Sequence, residues 1–250
     1  MRNLGKRGQL DKQAANGGIA RNIDVRQLDV TDFPSIQPTI DAIVRDYGRI
    51  DVAVNNAGFA LGGFAEDVDL SELREQLETN FFAHTQVTRA VLPVMRQQRS
   101  GQIIMISSIS GLCGAVGVSS YSASKFALEG WSEALRMECL PLGIHVVLVE
   151  PGAFKTDVWD TNVHIAQKAF SGESPNRDRA RRFSEYVQKQ IVKRDPQQVA
   201  TLIARIVQEK NPQLRYLAGP DAHMQKWLRR LVPWKVYEKL IIRALGIDEN

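Results

Sequence analysis

Apolar residues in this chain fall into short continuous runs separated by longer amphipathic stretches. GQIIMI (101–106) and IHVVLVE (144–150) are of strand length, the pattern of strands covered on both faces. Ile50 to Val54 predicts another buried strand, and Leu214 to Ala218 a short last one. IDVRQLDVTD (23–32) alternates, which predicts a strand running into a turn. Helical periodicity fills the gaps. Pro34 to Asp46 aligns Ile36, Ile40, Ile43 and Val44 and is closed by Gly48. Leu70 to Gln98 puts Leu73, Leu77, Asn80, His84, Val87, Val91 and Met95 on one face. Ser119 to Leu140, with Ser119 or Ser120 as its cap, and Pro196 to Lys210 are the next helices. Residues 1–22 are polar and aperiodic and read as a loop with a short helix. Strands alternating with helices imply an α/β fold, a parallel sheet flanked by helices, with ligands at the carboxyl ends of the strands.

Composition changes little. The length of 250 residues suits one domain, and 44% hydrophobic with 24% charged residues is ordinary for a globular protein. A net charge of +4 makes no case for nucleic acid. Cys113 and Cys139 make no disulfide framework, which implies a reducing compartment and a cytoplasmic protein. No apolar run reaches the length of a membrane span, and no metal-ligand set is read. The tail, residues 221–250, is amphipathic, with Trp227, Leu228, Leu231, Trp234 and Tyr237 among six basic residues. Two readings stand for it. Packing on the substrate mouth or a partner subunit is favoured over an interfacial membrane helix, because Pro233 splits the segment.

The chemistry centres on SSISGLCGAVGVSSYSASK, residues 107–125. On a helix, Tyr121 and Lys125 share a face one turn apart. A free tyrosine titrates near about 10, and a neighbouring ammonium lowers that value by favouring the phenolate. Ser108, at the end of an apolar strand, points at the same substrate oxygen as Tyr121 once a loop brings them together. Asn80 interrupts an apolar stripe, so its amide needs partners; His84 on the same stripe reads as a satisfied core histidine.

Ser108, Tyr121 and Lys125 in this order resemble the short-chain dehydrogenase/reductase family, and in particular its hydroxysteroid and retinol dehydrogenases. The resemblance is specific over residues 23–160 and extends in outline to the rest. It implies a doubly wound, Rossmann-like parallel sheet and a nicotinamide cofactor. Ser108, Tyr121 and Lys125 are then the catalytic group, with Asn80 holding a water connected to Lys125. NNAG matches the family's ribose-contacting motif, so Asn56, Ala57 and Gly58 join the cofactor residues with Tyr121 and Lys125. Asp29 and Val30 match the adenine-contacting pair, and Pro151, Gly152 and Thr156 the segment that wraps the nicotinamide. Residues 157–195 correspond to the substrate lid, and Phe59, Leu61, Leu112, Val116 and Trp159 line an apolar substrate site.

The chain departs from the family at its start. Gly5, Gly8, Gly17 and Gly18 form no glycine-rich phosphate turn, so the first βαβ unit is missing and residues 1–250 read as one incomplete domain. Met1-Arg2-Asn3 aligns just after the family's second strand. Arg2, helped by Lys6 and Arg7, then favours NADP, with NAD as the alternative. The expected activity is the interconversion of a secondary alcohol and a ketone on an apolar small molecule. The alternative is an inactive remnant or partner-binding protein. A homo-oligomer is compatible with the family.

Overall fold

The computed structural model describes residues 1–156, 158, 163–172, 174–190 and 194–245, with the backbone alone at 186–190. Its helices and strands follow in chain order. Helix α1 is Gly8–Asn16 and α2 is Phe33–Tyr47; strand β1 is Val52–Asn55 and β2 is Ala60–Gly62. Helix α3 (Leu70–Leu77) passes through a π-helical turn, Glu78–Phe82, into α4 (Ala83–Gln98). Then come β3 (Gly101–Ile106), α5 (Ser119–Cys139), β4 (Ile144–Pro151) and β5 (Val163–Ile165). The rest is α6 (Arg177–Gln190), α7 (Gln197–Val207), β6 (Arg215–Ala218), α8 (Pro220–Leu231) and α9 (Trp234–Leu245).

The main sheet is parallel, in the order β1-β3-β4-β6. Strand alternation splits its core in two. Ile103, Met105, Val146 and Leu148 point to one face and pack with Ile36, Ile40, Val91, Met95, Leu128 and Leu135 of α2, α4 and α5. Ile104, Val147 and Val149 point to the other face, where Ile206 of α7 covers them. Each such fully buried aliphatic side chain contributes roughly 1.5–3 kcal/mol. The alternating βα pattern thus builds the expected parallel sheet flanked by helices.

The strand expected at 23–32 does not form. Among the described residues this segment joins no ladder of the sheet. Outside its own local turns its backbone bonds to the chain start: Met1 N donates to Arg26 O at 2.7 Å and Leu28 N to Met1 O at 3.0 Å. Alternation made it strand-like, and the lack of a flanking partner leaves it as an extended coil ending in the turn at Asp29. Two short strands were not expected: β2 and β5 pair in parallel as a separate ribbon. Strand β1 is a sheet edge, and Val54 on it is 44% exposed.

Helix ends explain themselves locally. Asp69 and Glu72 form a reciprocal capping box at α3. Gly48 ends α2 at φ 77°, a left-handed conformation that glycine adopts without strain. The cap position of α5 is Val118, with no side-chain bond, so neither Ser119 nor Ser120 caps it; both lie inside the first turn.

Candidate active site

The sequence motifs meet at the carboxyl ends of β1, β3 and β4, because every strand of the main sheet runs the same way. Beyond β3, Ser107 N donates to Val149 O at 2.8 Å and extends the ladder past the strand. Ser108 is extended, and its Oγ accepts from Ser110 N at 3.2 Å, capping the tight turn Ile109–Gly111. That turn lies hard against α5. A Cβ on Gly111 would press on the Glu129 side chain, the Ser107 hydroxyl and the Lys125 carbonyl, so glycine permits the close approach. The result brings Ser108 near the Tyr121 phenol in the first turn of α5, close enough to favour its ionised form.

Tyr121 and Lys125 are both buried. Lys125 Nζ donates to Ile106 O at 2.8 Å and lies 5.6 Å from the centre of the Tyr121 ring. Burial pushes the Tyr121 phenol up to about 12, and the Ser108 hydrogen bond offsets only part of this. This is opposite to the lowering expected from the ammonium, because Lys125 faces the ring and a backbone carbonyl, and desolvation dominates. Burial also pulls Lys125 down to about 8, and Glu129, one turn further along α5, holds it up. Glu129 is itself buried and raised by desolvation, with Ser107 and Arg215 pulling it back down. Arg215 of β6 donates to Glu129 Oε2 at 3.0 Å and to Glu133 at 2.5 Å, and its Nε lies 2.9 Å from the buried Glu150.

Asn80 sits in the π-helical turn and is fully buried. Its Oδ1 accepts from Phe59 N at 3.1 Å, and its Nδ2 donates to Phe59 O at 2.9 Å and Ser124 Oγ at 3.3 Å. Ser124 Oγ donates in turn to Tyr121 O at 2.7 Å. Gln76, one turn earlier, accepts from Leu61 N and donates to Phe59 O. The sequence carried no sign of Gln76, since its partners are backbone groups. His84 is the core histidine expected: Nε2–H donates to Ala57 O at 2.7 Å, and burial, with Lys125 nearby, lowers its pKa to about 4.

Around this centre, Asn56 and Ala57 are exposed at the end of β1, whereas Asn55 is buried and donates to Thr88 Oγ1 at 3.0 Å. Gly58 passes so near the Asn80 carboxamide that a Cβ would crowd it. Past β4, Gly152 N donates to Ala218 O at 2.9 Å and Ala153 N to Asp221 Oδ2 at 2.6 Å. Asp221 also pairs with Arg194, whose own backbone O accepts from Lys155 N at 3.0 Å. Sequence reading missed this latch on the Pro151–Thr156 segment, because its members are far apart in the chain.

The Asp29 carboxylate accepts from Thr31 N and Oγ1, and Thr31 lines a cavity of about 320 Å³ with Arg2, Arg74, Glu75, Glu78 and Thr79. Arg7 instead pairs with Asp11 of its own helix at 2.8 Å and does not line this cavity. Of the expected substrate-lining residues, Phe59 meets the His164 ring in a tilted contact and Leu61 is buried, Leu112 packs near Ala222, and Trp159 falls outside the described residues. The apolar residues packed with Tyr121 are Ala60, Val118, Val158 and Phe183.

A family model described as short chain dehydrogenase matches residues 2–165. Among curated proteins, the chain is 40% identical to the uncharacterized oxidoreductase YusZ of Bacillus subtilis, over 96% of this chain and 86% of that protein. It is 40% identical to a 3-ketodihydrosphingosine reductase of Bacteroides thetaiotaomicron, over 85% and 78%. It is 36% identical to retinol dehydrogenase 8 of Bos taurus, over 86% and 70%. Among solved structures, a short-chain dehydrogenase from Streptomyces avermitilis superposes with a TM-score of 0.76 at 32% identity, covering 96% of this chain and 86% of that one. ElxO with NADP bound superposes at 0.69 with 28% identity, over 87% and 83%.

Proposed function

The chain belongs to the short-chain dehydrogenase family, and from that premise we propose that it is a nicotinamide-dependent oxidoreductase interconverting an apolar secondary alcohol and its ketone through Ser108, Tyr121 and Lys125. The observation that carries the reading is the burial of Ser108, Tyr121 and Lys125 together beyond the end of β3, with Ser108 near enough to pull the Tyr121 pKa down and the Lys125 ammonium 5.6 Å from its ring. Ser108 hydrogen-bonds the substrate oxygen and orients the carbonyl. Tyr121 gives its phenolic proton to that oxygen as it gains negative charge, and takes it back in the oxidative direction. With its pKa near 12, Tyr121 rests as the acid at neutral pH, which suits ketone reduction. Lys125, charged below about 8, stabilises the phenolate left behind. Asn80 is assigned to holding a water connected to Lys125, which completes the relay that returns the proton from solvent; its bond to Ser124 leads only to the Tyr121 main-chain carbonyl and serves to brace α5.

Two groups of residues are assigned to the two ends of a dinucleotide. Exposed Asn56 and Ala57, with Gly58, Tyr121, Lys125, Pro151, Gly152 and Thr156, are assigned to the nicotinamide end, and their places at or just past the carboxyl ends of β1 and β4 and in the first turns of α5 support this. Asp29 and Val30 directly precede Thr31, which lines a cavity with Arg2, Arg74, Glu75, Glu78 and Thr79, and are assigned to the adenosine end. Arg2 and Arg74 there are the cations available to a 2′-phosphate, set against Glu75 and Glu78, and NADP, the cofactor bound in ElxO, is favoured with NAD as the alternative. When bound, that cofactor exchanges a hydride with the substrate carbon. The packing of Val118, Val158 and Phe183 against Tyr121 supports an apolar substrate. So do two relatives whose names specify a ketodihydrosphingosine and a retinol.

Replacing Tyr121 with Phe tests the assignment. Turnover of an apolar ketone should fall by about 10²–10⁴-fold, while saturable quenching of NADPH fluorescence persists. Undiminished turnover would reject it. A folded chain that neither binds NADPH nor reduces ketones would favour the alternative, a protein that binds a partner instead of turning over substrate.

A further inference from the structure

Helices α8 and α9 pack only one side of the tail. Ala222 of α8 is buried with Ile109 and Cys113, and Tyr237 of α9 is buried as well. This matches the packed tail favoured from sequence, but it leaves the other side bare. Met224, Trp227 and Leu231 recur at helical spacing on α8 and are 56%, 62% and 56% exposed. On α9, Val236 and Leu240 are open in the same way, four residues apart. Large apolar side chains grouped on an exterior face mark a surface that meets something else.

Charge says what that something is. Within Pro220–Leu245, Lys226, Arg229, Arg230, Lys235, Lys239 and Arg243 stand against Asp221 and Glu238. The two helices carry +4, the charge of the whole chain, so the remaining residues balance. Asp221 is turned inward onto Ala153 and Arg194, which leaves the exterior more positive still. Arg229 lies 4.7 Å over the Trp234 ring, its stem along apolar surface. A second copy is a poor occupant, since a two-fold interface sets each patch on itself and opposes like charges. A flat anionic, apolar-cored partner satisfies both features.

We propose that the outer face of α8 and α9 docks on an anionic phospholipid bilayer, with Met224, Trp227, Leu231 and Leu240 entering the headgroup layer and the basic residues flanking them. This is attachment in the plane of the interface; among the described residues no helix is long and apolar enough to cross a membrane. The inner side of α8 packs on the segment that follows Ser108, so one helix separates the docked face from that segment. On the reading given above, an apolar substrate would then arrive from the bilayer.

The test is flotation of the full chain with vesicles of phosphatidylcholine, with and without phosphatidylserine. Binding should require the anionic lipid and weaken in high salt. Trp227→Ser combined with Leu231→Ser should weaken it by about tenfold or more. Lys226→Gln and Arg230→Gln should each weaken it by about fivefold. Circular dichroism and turnover of a water-soluble ketone report whether these variants stay folded and competent. No association with anionic vesicles, or association that the variants leave unchanged, would overturn the proposal. So would a concentration-dependent dimer abolished by Trp227→Ser, which would give the face to a second copy. Vesicle binding by a chain without reductase activity would uphold this surface and reject only the catalytic reading.

Discussion

The Asn80 side chain pairs in both directions with one peptide, that of Phe59: it accepts from N at 3.1 Å and donates to O at 2.9 Å. A buried helix thereby supplies the partner that a neighbouring strand would otherwise give. Gln76 shares the same carbonyl at 3.0 Å. Asn80→Ala should lower unfolding free energy by about 2–4 kcal/mol, since it strands a buried amide and leaves a cavity. Gln76→Ala should act similarly, and the double variant should lose more than the sum, because each single variant leaves the Phe59 carbonyl one donor and only the double variant orphans it. Urea midpoints of the two single variants and the double variant check this.

Asp221 bridges Ala153 N and Arg194 and so steadies the segment assigned to the nicotinamide. Asp221→Asn removes the charge and keeps the shape. Charge-assisted hydrogen bonds are worth about 1.5–3 kcal/mol, so KM for NADPH should rise by about tenfold or more while kcat moves little. A matched loss of kcat with unchanged KM would contradict a positioning role.

His84 makes stability sensitive to acid. Its pKa is about 4 in the folded chain and about 6.5 when unfolded, so the unfolded state binds more protons between those values. Stability from this group is complete above about 6.5 and is lost as pH falls toward 4, by on the order of 3 kcal/mol. A His84→Gln variant should be less stable at neutral pH but flatter across that window, as read from thermal midpoints at stepped pH.

Glu129 keeps Lys125 charged. Glu129→Gln removes the anion one turn away and leaves Arg215 less neutralised, and both changes lower the Lys125 pKa below about 8. The alkaline limb of the kcat/KM profile for reduction should move down by about one pH unit, within the range of shifts from a nearby opposite charge. Glu133→Gln, at the half-exposed member of the group, should shift it far less.

Much of the site is legible as spacing. NNAG closes β1, Ser108 follows β3, Pro151-Gly152 ends β4, and Tyr121 and Lys125 share one turn of α5. The failures have a common cause. Residues 23–32 alternate like a strand but have no flanking strand to bond, and alternation cannot report a missing neighbour. The Tyr121 pKa moves up where one local pair suggested down, because burial is set by Val118, Val158 and Phe183 closing over the ring.

Sequence alone therefore determined the α/β order and the pairing of Tyr121 with Lys125 on one helix face, since periodicity and i,i+4 spacing are properties of neighbouring residues, and its family resemblance nominated Ser108 beside them. Tertiary structure alone decided which amides brace Phe59, what latches the segment after β4, how far each group is desolvated, and which side of the tail stays bare. Those depend on groups distant in the chain meeting in space, where burial and partner choice set the energies.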